Sequence, residues 1–348
     1  MPRLICPHHH ECRGFQVPAK KREQPNLLIV GQAGRLEYEA VIFTASLRAH
    51  APDWTGRVII AEPTPDGAWS GHETAISQPC RDLLTGFGAE ILPFTARHFG
   101  AAYPQGNKIE ALALLPAGEP FLFFDTDTLI TGPLDQVRLD PTRPSASMRR
   151  EGTWPKPPLY GPGYQAIWRS IYDRFGVSFD DTLDLSQPDE HWERYLYFNA
   201  GWFFGADPAE FGRRYLDWAL ALRDTPHDEL ACQVMDPWLD QVVLPVVIAS
   251  LGGGRPGPAL AGLDGDITCH YRKLPLLYAQ HSDAAIAALE SAIAPREIKR
   301  VLREWEPARK LAYQEKGRQK VRPIFADRPG APERMIRNQL KARGWWLV

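Results

Sequence analysis

Two carboxylates, Asp125 and Asp127, follow directly after an apolar run that predicts a buried strand, Phe-Leu-Phe-Phe at 121–124. A charged side chain is costly to bury, so a buried strand that ends in two of them delivers them to the mouth of a site. Carboxylates two residues apart on an extended chain end point to one side and offer the hard oxygen ligands that suit Mn²⁺ or Mg²⁺. A metal held in this way can bridge two phosphates. The alternative is an ordinary acidic turn, which Asp favours.

Three further groups of polar residues follow the acidic pair in the chain. They are Asn199, Ala200 and Gly201 before an apolar run, the neighbours Asp240 and Gln241, and His270 close to Arg272 and Lys273. An imidazole beside two cations suits a metal and a diphosphate together. Each group also has a structural explanation as a turn, a helix cap or a core histidine. Their occurrence together, in this order, favours a functional site.

Short apolar runs alternate with helical patterns over the first third of the chain. The predicted strands are 27–30, 57–61, 90–92 and 121–124, and the predicted helices are 36–48 and 107–114. Strands that alternate with helices predict βαβ units, and therefore an α/β fold with a mostly parallel sheet flanked by helices. In such a sheet, ligands bind beyond the carboxyl ends of the strands.

The composition is that of an ordinary globular protein of 348 residues, with 44% hydrophobic residues and a net charge of −2. The near balance of charge argues against nucleic acid as a partner of the whole chain. The sequence holds no run long and apolar enough to span a membrane, and its N-terminus has no apolar signal region, so we predict a cytoplasmic protein.

The five cysteines are scattered, which is no pattern of a disulfide framework. Cys6, His8, His9, His10 and Cys12 are interpreted as part of a polar terminal segment, since no second pair of ligands follows at zinc-finger spacing.

Three parts of the chain are predicted: an arm at 1–25, a main domain at 26–290 and a basic, helical extension at 291–348. From residue 296 to the end, 15 Lys or Arg face 6 Asp or Glu, an excess of nine positive charges. With its Trp345-Trp346 ending, this tail is expected to lie on an anionic membrane surface, where each basic residue contributes about 1 kcal/mol. A basic helix packed back on the domain is the alternative.

The elements at 124–127, 198–201, 240–241 and 270–271 read Phe-Asp-Thr-Asp, Phe-Asn-Ala-Gly, Asp-Gln and His-Tyr. Together they resemble the GT-A glycosyltransferases, particularly family eight, which includes glycogenins and lipopolysaccharide galactosyl- and glucosyltransferases. The resemblance covers about residues 26–275. It implies a GT-A fold, a nucleotide-sugar donor, and retaining transfer of a hexose from UDP with Mn²⁺ or Mg²⁺. A glycan, a lipid or a protein would be the acceptor.

The resemblance also implies roles for individual residues. Asp125, Asp127 and His270 would hold the metal. Asp240 and Gln241 would hold the transferred sugar as the catalytic pair, with Gln241 on the face where retention needs electron density. The donor contacts would be Gly31, Gln32 and Ala33 at the nucleobase, with Lys108, Asp125, Thr126, Asp127, Asn199, Ala200, Gly201 and Lys273.

A metal suits this chemistry because departure of a nucleoside diphosphate builds negative charge on its β-phosphate. A divalent cation with Lys273 or Arg272 beside it stabilises that charge where it develops. The anomeric carbon becomes oxocarbenium-like, so a nearby carboxylate or amide oxygen helps.

Two alternatives come from other classes of protein. A haloacid dehalogenase-like phosphatase would use Asp125 as its nucleophile and Asp180-Asp181 as a later acidic pair. However, Leu129 stands where its motif has Thr or Val, and about three strands precede the motif here. A non-catalytic sugar-binding protein is suggested by the 11 Trp and 11 Tyr, although aromatic residues also fill cores.

Overall fold

The computed structural model describes residues 24–150, 152–328 and 330–348. The Cys6–Cys12 cluster and all but the last two residues of the predicted N-terminal arm lie outside the described residues.

A five-stranded sheet forms the centre of the fold, in the order β3-β2-β1-β4-β6. Its strands are β1 (Asn26–Val30), β2 (Val58–Pro63), β3 (Ala89–Phe94), β4 (Phe121–Phe124) and β6 (Trp202–Gly205). The first four are parallel, and β6 is antiparallel to β4. Every residue of β1 and β4 is buried, as expected where helices cover both faces of a parallel sheet. The predicted α/β fold with a mostly parallel sheet flanked by helices is confirmed.

Helices cover the two faces of this sheet. In chain order they are α1 (Arg35–His50), α2 (Gln78–Gly86), α3 (Asn107–Glu110), α4 (Tyr164–Arg174), α5 (Pro208–Asp224), α6 (Leu239–Ser250), α7 (Leu274–Gln280), α8 (Asp283–Ala292), α9 (Arg296–Leu302), α10 (Arg322–Phe325) and α11 (Glu333–Ala342). One core contains α1, α2 and the elements from α7 onward, and the other contains α4, α5 and α6. The predicted helix at 107–114 is α3 followed by a 3₁₀ turn.

A second, two-stranded sheet brings the distant His270 to the acidic pair. It consists of β5 (Thr128–Ile130) and β7 (Thr268–His270), which run antiparallel with Thr128 opposite His270. Beyond the last pair, the backbone N–H of Tyr271 donates to the carbonyl oxygen of Asp127 over 3.0 Å. The histidine is therefore held beside the carboxylates by backbone pairing.

The basic C-terminal residues pack on the main sheet's helices. They form α9, two π-helical segments (Ala308–Tyr313 and Gly317–Val321), α10 and α11. Their buried side chains, among them Leu302, Leu311 and Leu340, belong to the same core as α1. This is the arrangement of the packed-helix alternative, and contact of the exposed cations with a membrane stays a prediction. No helix within the described residues is long and apolar enough to cross a bilayer.

Candidate active site

Backbone hydrogen bonds fix the segment that carries the two carboxylates. The N–H of Asp125 donates to the carbonyl oxygen of Gly201 over 2.8 Å, because β4 and β6 are neighbours. The buried hydroxyl of Thr126 donates to the carbonyl oxygen of Val30 at the end of β1. With the middle residue turned inward, the carboxylates on either side face the opening beyond the sheet.

Asp125, Asp127 and His270 form a cluster of three possible metal ligands. One atom from each lies within 4.8 Å of the others. His270 Nε2 is 3.0 Å from Asp127 Oδ1 and 3.7 Å from Asp125 Oδ2. All three side chains are partly exposed, at 14–26%. Two carboxylates with one imidazole suit Mn²⁺ or a similar divalent cation, so the residues fit the metal that the motif implies.

The second oxygen of each carboxylate lies close to a cationic side chain. Lys108 Nζ lies 2.7 Å from Asp125 Oδ1, and Arg35 Nη1 lies 3.1 Å from Asp127 Oδ2. The two acids are therefore held from opposite sides, with their remaining oxygens toward His270. We call these two sets of contacts the Lys108 cluster and the Arg35 cluster.

The Lys108 cluster is buried. Lys108 Nζ also lies 3.2 Å from Asp240 Oδ2 and donates to the carbonyl oxygen of Ala200 over 3.2 Å. The Tyr103 hydroxyl donates to Asp240 Oδ1 over 2.8 Å. Burial raises the pKa of Asp240, and Lys108 opposes that shift. Burial alone would lower the pKa of Lys108, but Asp125 and Asp240 raise it above its ordinary value, so the lysine stays charged.

The Arg35 cluster lines the opening. Arg35 Nη1 lies 2.8 Å from Glu39 Oε2 and donates to the carbonyl oxygen of Arg272 over 3.1 Å. Burial raises the pKa of Glu39 to about 8, with Arg35 opposing. Burial would also raise the pKa of Asp127, but His270 and Arg35 outweigh it and lower that pKa. His270 and Arg35 together therefore keep Asp127 ionised.

Sequence reasoning missed Arg35, Glu39 and Tyr103. A signal for Arg35 was present, since it is the first residue of α1, where a cation opposes the helix dipole. Such a residue indicates an anion or a carboxylate nearby. Glu39, four residues on, lies on the same face of that helix. Nothing in the sequence marks Tyr103, whose partner is 137 residues away.

The Asn-Ala-Gly element at 199–201 lies against His270. A Cβ on Gly201 would be 2.5 Å from His270 Nδ1 and 2.6 Å from Asn199 Oδ1, so only glycine allows this approach. Ala200 has a φ of 58°, which points its carbonyl toward Lys108. Asn199 Oδ1 is buried and has no hydrogen-bond donor among the described residues, which makes it a candidate ligand contact.

A cavity of about 250 Å³ adjoins the two carboxylates. The predicted donor residues that line it are Gln32, Lys108, Asp125, Thr126 and Asp127. Its lining also includes Arg35, Leu36, Gln105 and Asn107. Gly31 and Ala33 are not part of its lining, and Gly31 is packed so closely that a Cβ there would meet Ile60 at 2.5 Å.

The remaining predicted residues are not part of the lining of the cavity. The side chain of Asp240 is only 2% exposed and lies beneath the opening as the partner of Lys108. Gln241 is half-buried in the first turn of α6, where the Tyr197 hydroxyl donates to its Oε1 over 2.8 Å. Lys273 precedes α7, and burial together with Arg35 lowers its pKa.

Several solved structures are similar to this chain at low sequence identity. A complex of the galactosyltransferase LgtC with donor and acceptor sugar analogs is 15% identical, with a TM-score of 0.44, over 79% of this chain and 99% of that one. The glycosyltransferase GlyE of Streptococcus pneumoniae TIGR4 is 12% identical, with a TM-score of 0.43, over 81% and 64%. Mouse xyloside xylosyltransferase 1 is 12% identical, with a TM-score of 0.36, over 67% and 84%.

No curated protein matches the sequence. A family model does, and it matches residues 27–252, which carry the five-stranded sheet, both carboxylates and the Asp240-Gln241 pair. The predicted glycosyltransferase is thereby confirmed, and the phosphatase and the non-catalytic sugar-binding protein lose their support. The chain belongs to the family of the Rhodobacterales glycosyltransferase domain.

Proposed function

We propose that this glycosyltransferase transfers a hexose from UDP, with retention of configuration, and that it requires a divalent metal, Mn²⁺ or Mg²⁺. The observation that carries the proposal is the convergence of Asp125, Asp127 and His270 at the edge of the cavity, within 4.8 Å of one another. When bound there, the metal would supply positive charge to a diphosphate leaving group. Asp125, Asp127 and His270 are the residues that would hold it.

The charges around the cavity support a diphosphate donor. Lys108 and Arg35 each neutralise one carboxylate, so the acids present less negative charge to an incoming anion than their number implies. Lys273 lies close enough to Arg35 and Asp127 for their charges to affect its pKa. We assign Lys273 to the diphosphate because cations beside the leaving group stabilise the charge that develops there.

The lining of the cavity is suited to a nucleobase. Gln32, Gln105 and Asn107 bring amide groups to its lining, and Leu36 and Pro104 bring apolar surface. A pocket with apolar walls and a few polar groups is typical of small-molecule recognition. Amides can donate to and accept from the edge of uracil. The turn at 31–33 would contribute through Gln32, as the family-eight resemblance implies.

The sugar would lie between the metal cluster and α6. We assign Asn199 and Gln241 to it, because Asn199 Oδ1 is a buried acceptor without a donor among the described residues, and Gln241 is the neighbour of Asp240, the partner of Lys108. The second lone pair of Gln241 Oε1 could face an oxocarbenium-like anomeric carbon, which is the electron density that retention requires. The acceptor would be a glycan, a lipid or a protein.

We further infer that the enzyme works in the cytoplasm and contacts anionic membranes peripherally. Exposed cations of the tail, such as Arg334, Lys341 and Arg343, support this. Binding to anionic vesicles should weaken sharply with salt, because the Debye length falls from about 10 Å at 0.1 M to about 3 Å at 1 M. Co-sedimentation that is absent at low salt would remove the membrane from the proposal.

Thermal unfolding with a panel of nucleotides tests the donor assignment. UDP with Mn²⁺ should raise the melting temperature, and ADP or GDP should do so much less, because a ligand that binds only the folded state stabilises it. Stabilisation by UDP that is equally large in EDTA would contradict the metal. Stabilisation by every nucleotide alike would contradict the uridine assignment.

A further inference from the structure

Arg272 occupies a strained position in the turn that follows β7. Its φ is 62°, in the left-handed region that residues other than glycine adopt at a cost. The turn lies two residues beyond His270 and contains Tyr271, whose N–H donates to the carbonyl oxygen of Asp127. A change in this turn would therefore move two of the metal ligands. Another contact must offset the strain, and the side chain of Arg272 makes such a contact.

That side chain is directed to the C-terminal part of the chain. Arg272 Nη2 lies 2.7 Å from Glu333 Oε2, at the start of α11. The Glu333 side chain is 11% exposed, and its Oε1 accepts from Arg337 over 3.0 Å. The Arg272 side chain is 32% exposed, so Glu333 is the shielded member of the pair, and a partly buried ion pair is screened less than one on the surface. The tail therefore holds Arg272 in place.

The backbone carbonyl of Arg272 contacts the Arg35 cluster. The carbonyl oxygen of Arg272 accepts from Arg35 Nη1, and that same nitrogen lies 3.1 Å from Asp127 Oδ2. A continuous series of contacts thus connects Glu333 to Arg272, Arg272 to Arg35, and Arg35 to a metal ligand. Groups that orient the ligands of a metal in this way commonly affect its affinity.

We propose that Arg272 is a positioning residue through which α11 holds the metal site in shape. It does not bind the diphosphate, and the basic tail is a structural part of the donor site. This inference rests on the proposed metal site. It goes beyond it because α11 lies outside the residues that the family model matches.

Four variants separate this role from a direct contact with the donor. Arg272→Ala removes the link to Glu333 and keeps the strain. Arg272→Gly removes the same link but relieves the strain, since glycine adopts a positive φ freely. Glu333→Ala breaks the link from the other end. Glu306→Ala is the matched control, because it removes the exposed ion pair of that acid with Lys310 elsewhere in the tail.

Two measurements are made on the full chain. The first is the affinity for Mn²⁺ without nucleotide, read from the electron paramagnetic resonance of the free ion. Arg272→Ala and Glu333→Ala should weaken it about tenfold, equivalent to about 1.4 kcal/mol. Arg272→Gly and Glu306→Ala should stay within about threefold of wild type. The second is hydrogen exchange of the 268–274 segment in EDTA, which should quicken in Arg272→Ala and Glu333→Ala but not in Glu306→Ala.

The result that would overturn the inference is equal Mn²⁺ affinity in all variants, with Arg272→Ala and Arg272→Gly alike in weaker UDP binding. That pattern would make Arg272 a donor contact. If wild type binds no Mn²⁺, the metal in the proposed function is wrong, and the exchange measurement still decides the positioning role. Unchanged exchange in Glu333→Ala would then reject it.

Discussion

The Lys108 cluster and the Arg35 cluster each neutralise one of the two carboxylates, Asp125 and Asp127, but they differ in construction. Lys108 is almost fully buried, and its two acidic partners leave it permanently charged. Arg35 is 29% exposed and lines the cavity, and its partner Glu39 has a pKa raised by burial to about 8. Both clusters reach the lining of the cavity, but the Lys108 cluster extends into the core through Asp240, and the Arg35 cluster extends to Arg272, which pairs with Glu333 of α11.

The difference indicates a division of labour. A buried ion pair contributes mainly by being costly to break, because the partner left behind is an uncompensated buried charge. In the Arg35 cluster the arginine is partly exposed, and Glu39 can be neutral because burial raises its pKa to about 8, so this cluster can give up a charge at smaller cost. We therefore expect the Lys108 cluster to control folding and the Arg35 cluster to tune the affinity for metal and donor.

The largest expected effect is that of removing the carboxylate that the Arg35 cluster holds. Asp127→Asn should lower transfer by at least about 10⁴-fold, because a charged ligand is lost from the site of the leaving group. The fold should stay intact, as the N–H of Tyr271 bonds to the Asp127 carbonyl, which the substitution keeps. Donor turnover and far-ultraviolet circular dichroism measure the two. Activity within a few-fold of wild type would show that the metal assignment is wrong.

The next effect distinguishes the two clusters directly. Lys108→Met should lower the free energy of unfolding by about 3–5 kcal/mol, since it leaves Asp240 and Asp125 without their buried counter-charge. Arg35→Met should cost clearly less, because Glu39, with a pKa of about 8, is already largely neutral at pH 7, and Asp127 keeps His270 as a partner. Urea denaturation in EDTA measures both.

The control for this pair is Lys310→Met, which breaks an exposed ion pair with Glu306 and should cost about 0–1 kcal/mol. Equal losses for Lys108→Met and Arg35→Met would remove the proposed division between a folding cluster and a tuning cluster.

A third test uses the pKa of Glu39, which burial raises from 4.5 to about 8. A group whose pKa is raised on folding contributes stability that is complete below its unfolded pKa and lost as the pH rises through the folded value. Between about pH 5 and about pH 8.5, wild type should lose on the order of 2–4 kcal/mol more than Glu39→Gln. Denaturation curves in EDTA at both pH values measure this. Parallel pH profiles would mean that Glu39 is not a titrating part of the Arg35 cluster.

The smallest expected effect concerns Gln241, the neighbour of Asp240 in the Lys108 cluster. Gln241→Ala should lower kcat for transfer or donor hydrolysis about 50-fold while it changes UDP affinity little, because the amide would act on the sugar. Steady-state kinetics and UDP titration separate the two quantities. A matching loss in both would place Gln241 in the nucleotide site instead.

The sequence was sufficient to predict the parallel strands of the sheet and the position of the acidic pair at its edge. The strands at 27–30 and 121–124 are short and apolar throughout, which is the pattern of buried parallel strands. The carboxylates after 121–124 then had to lie at the carboxyl edge. Lys108 came from the family resemblance, since nothing in a lysine's immediate neighbours shows that it will be buried.

The rest could not be predicted because it depends on contacts between distant parts of the chain. β5 and β7 have three residues each, too few for a periodic signal, yet their pairing places His270 beside Asp127. The contacts of Arg35 with Asp127 and Arg272 span 92 and 237 residues. The positive charge of the tail is evident from the sequence, but the packing of its apolar residues on α1 is not.

Calorimetry of UDP binding with Mn²⁺ and with EDTA tests the central claim most directly. If Asp125, Asp127 and His270 hold a metal that binds the diphosphate, wild type should bind UDP much more tightly with Mn²⁺ than in EDTA. Asp127→Asn should bind it weakly in both conditions. Equal affinity of wild type with and without Mn²⁺ would contradict the account.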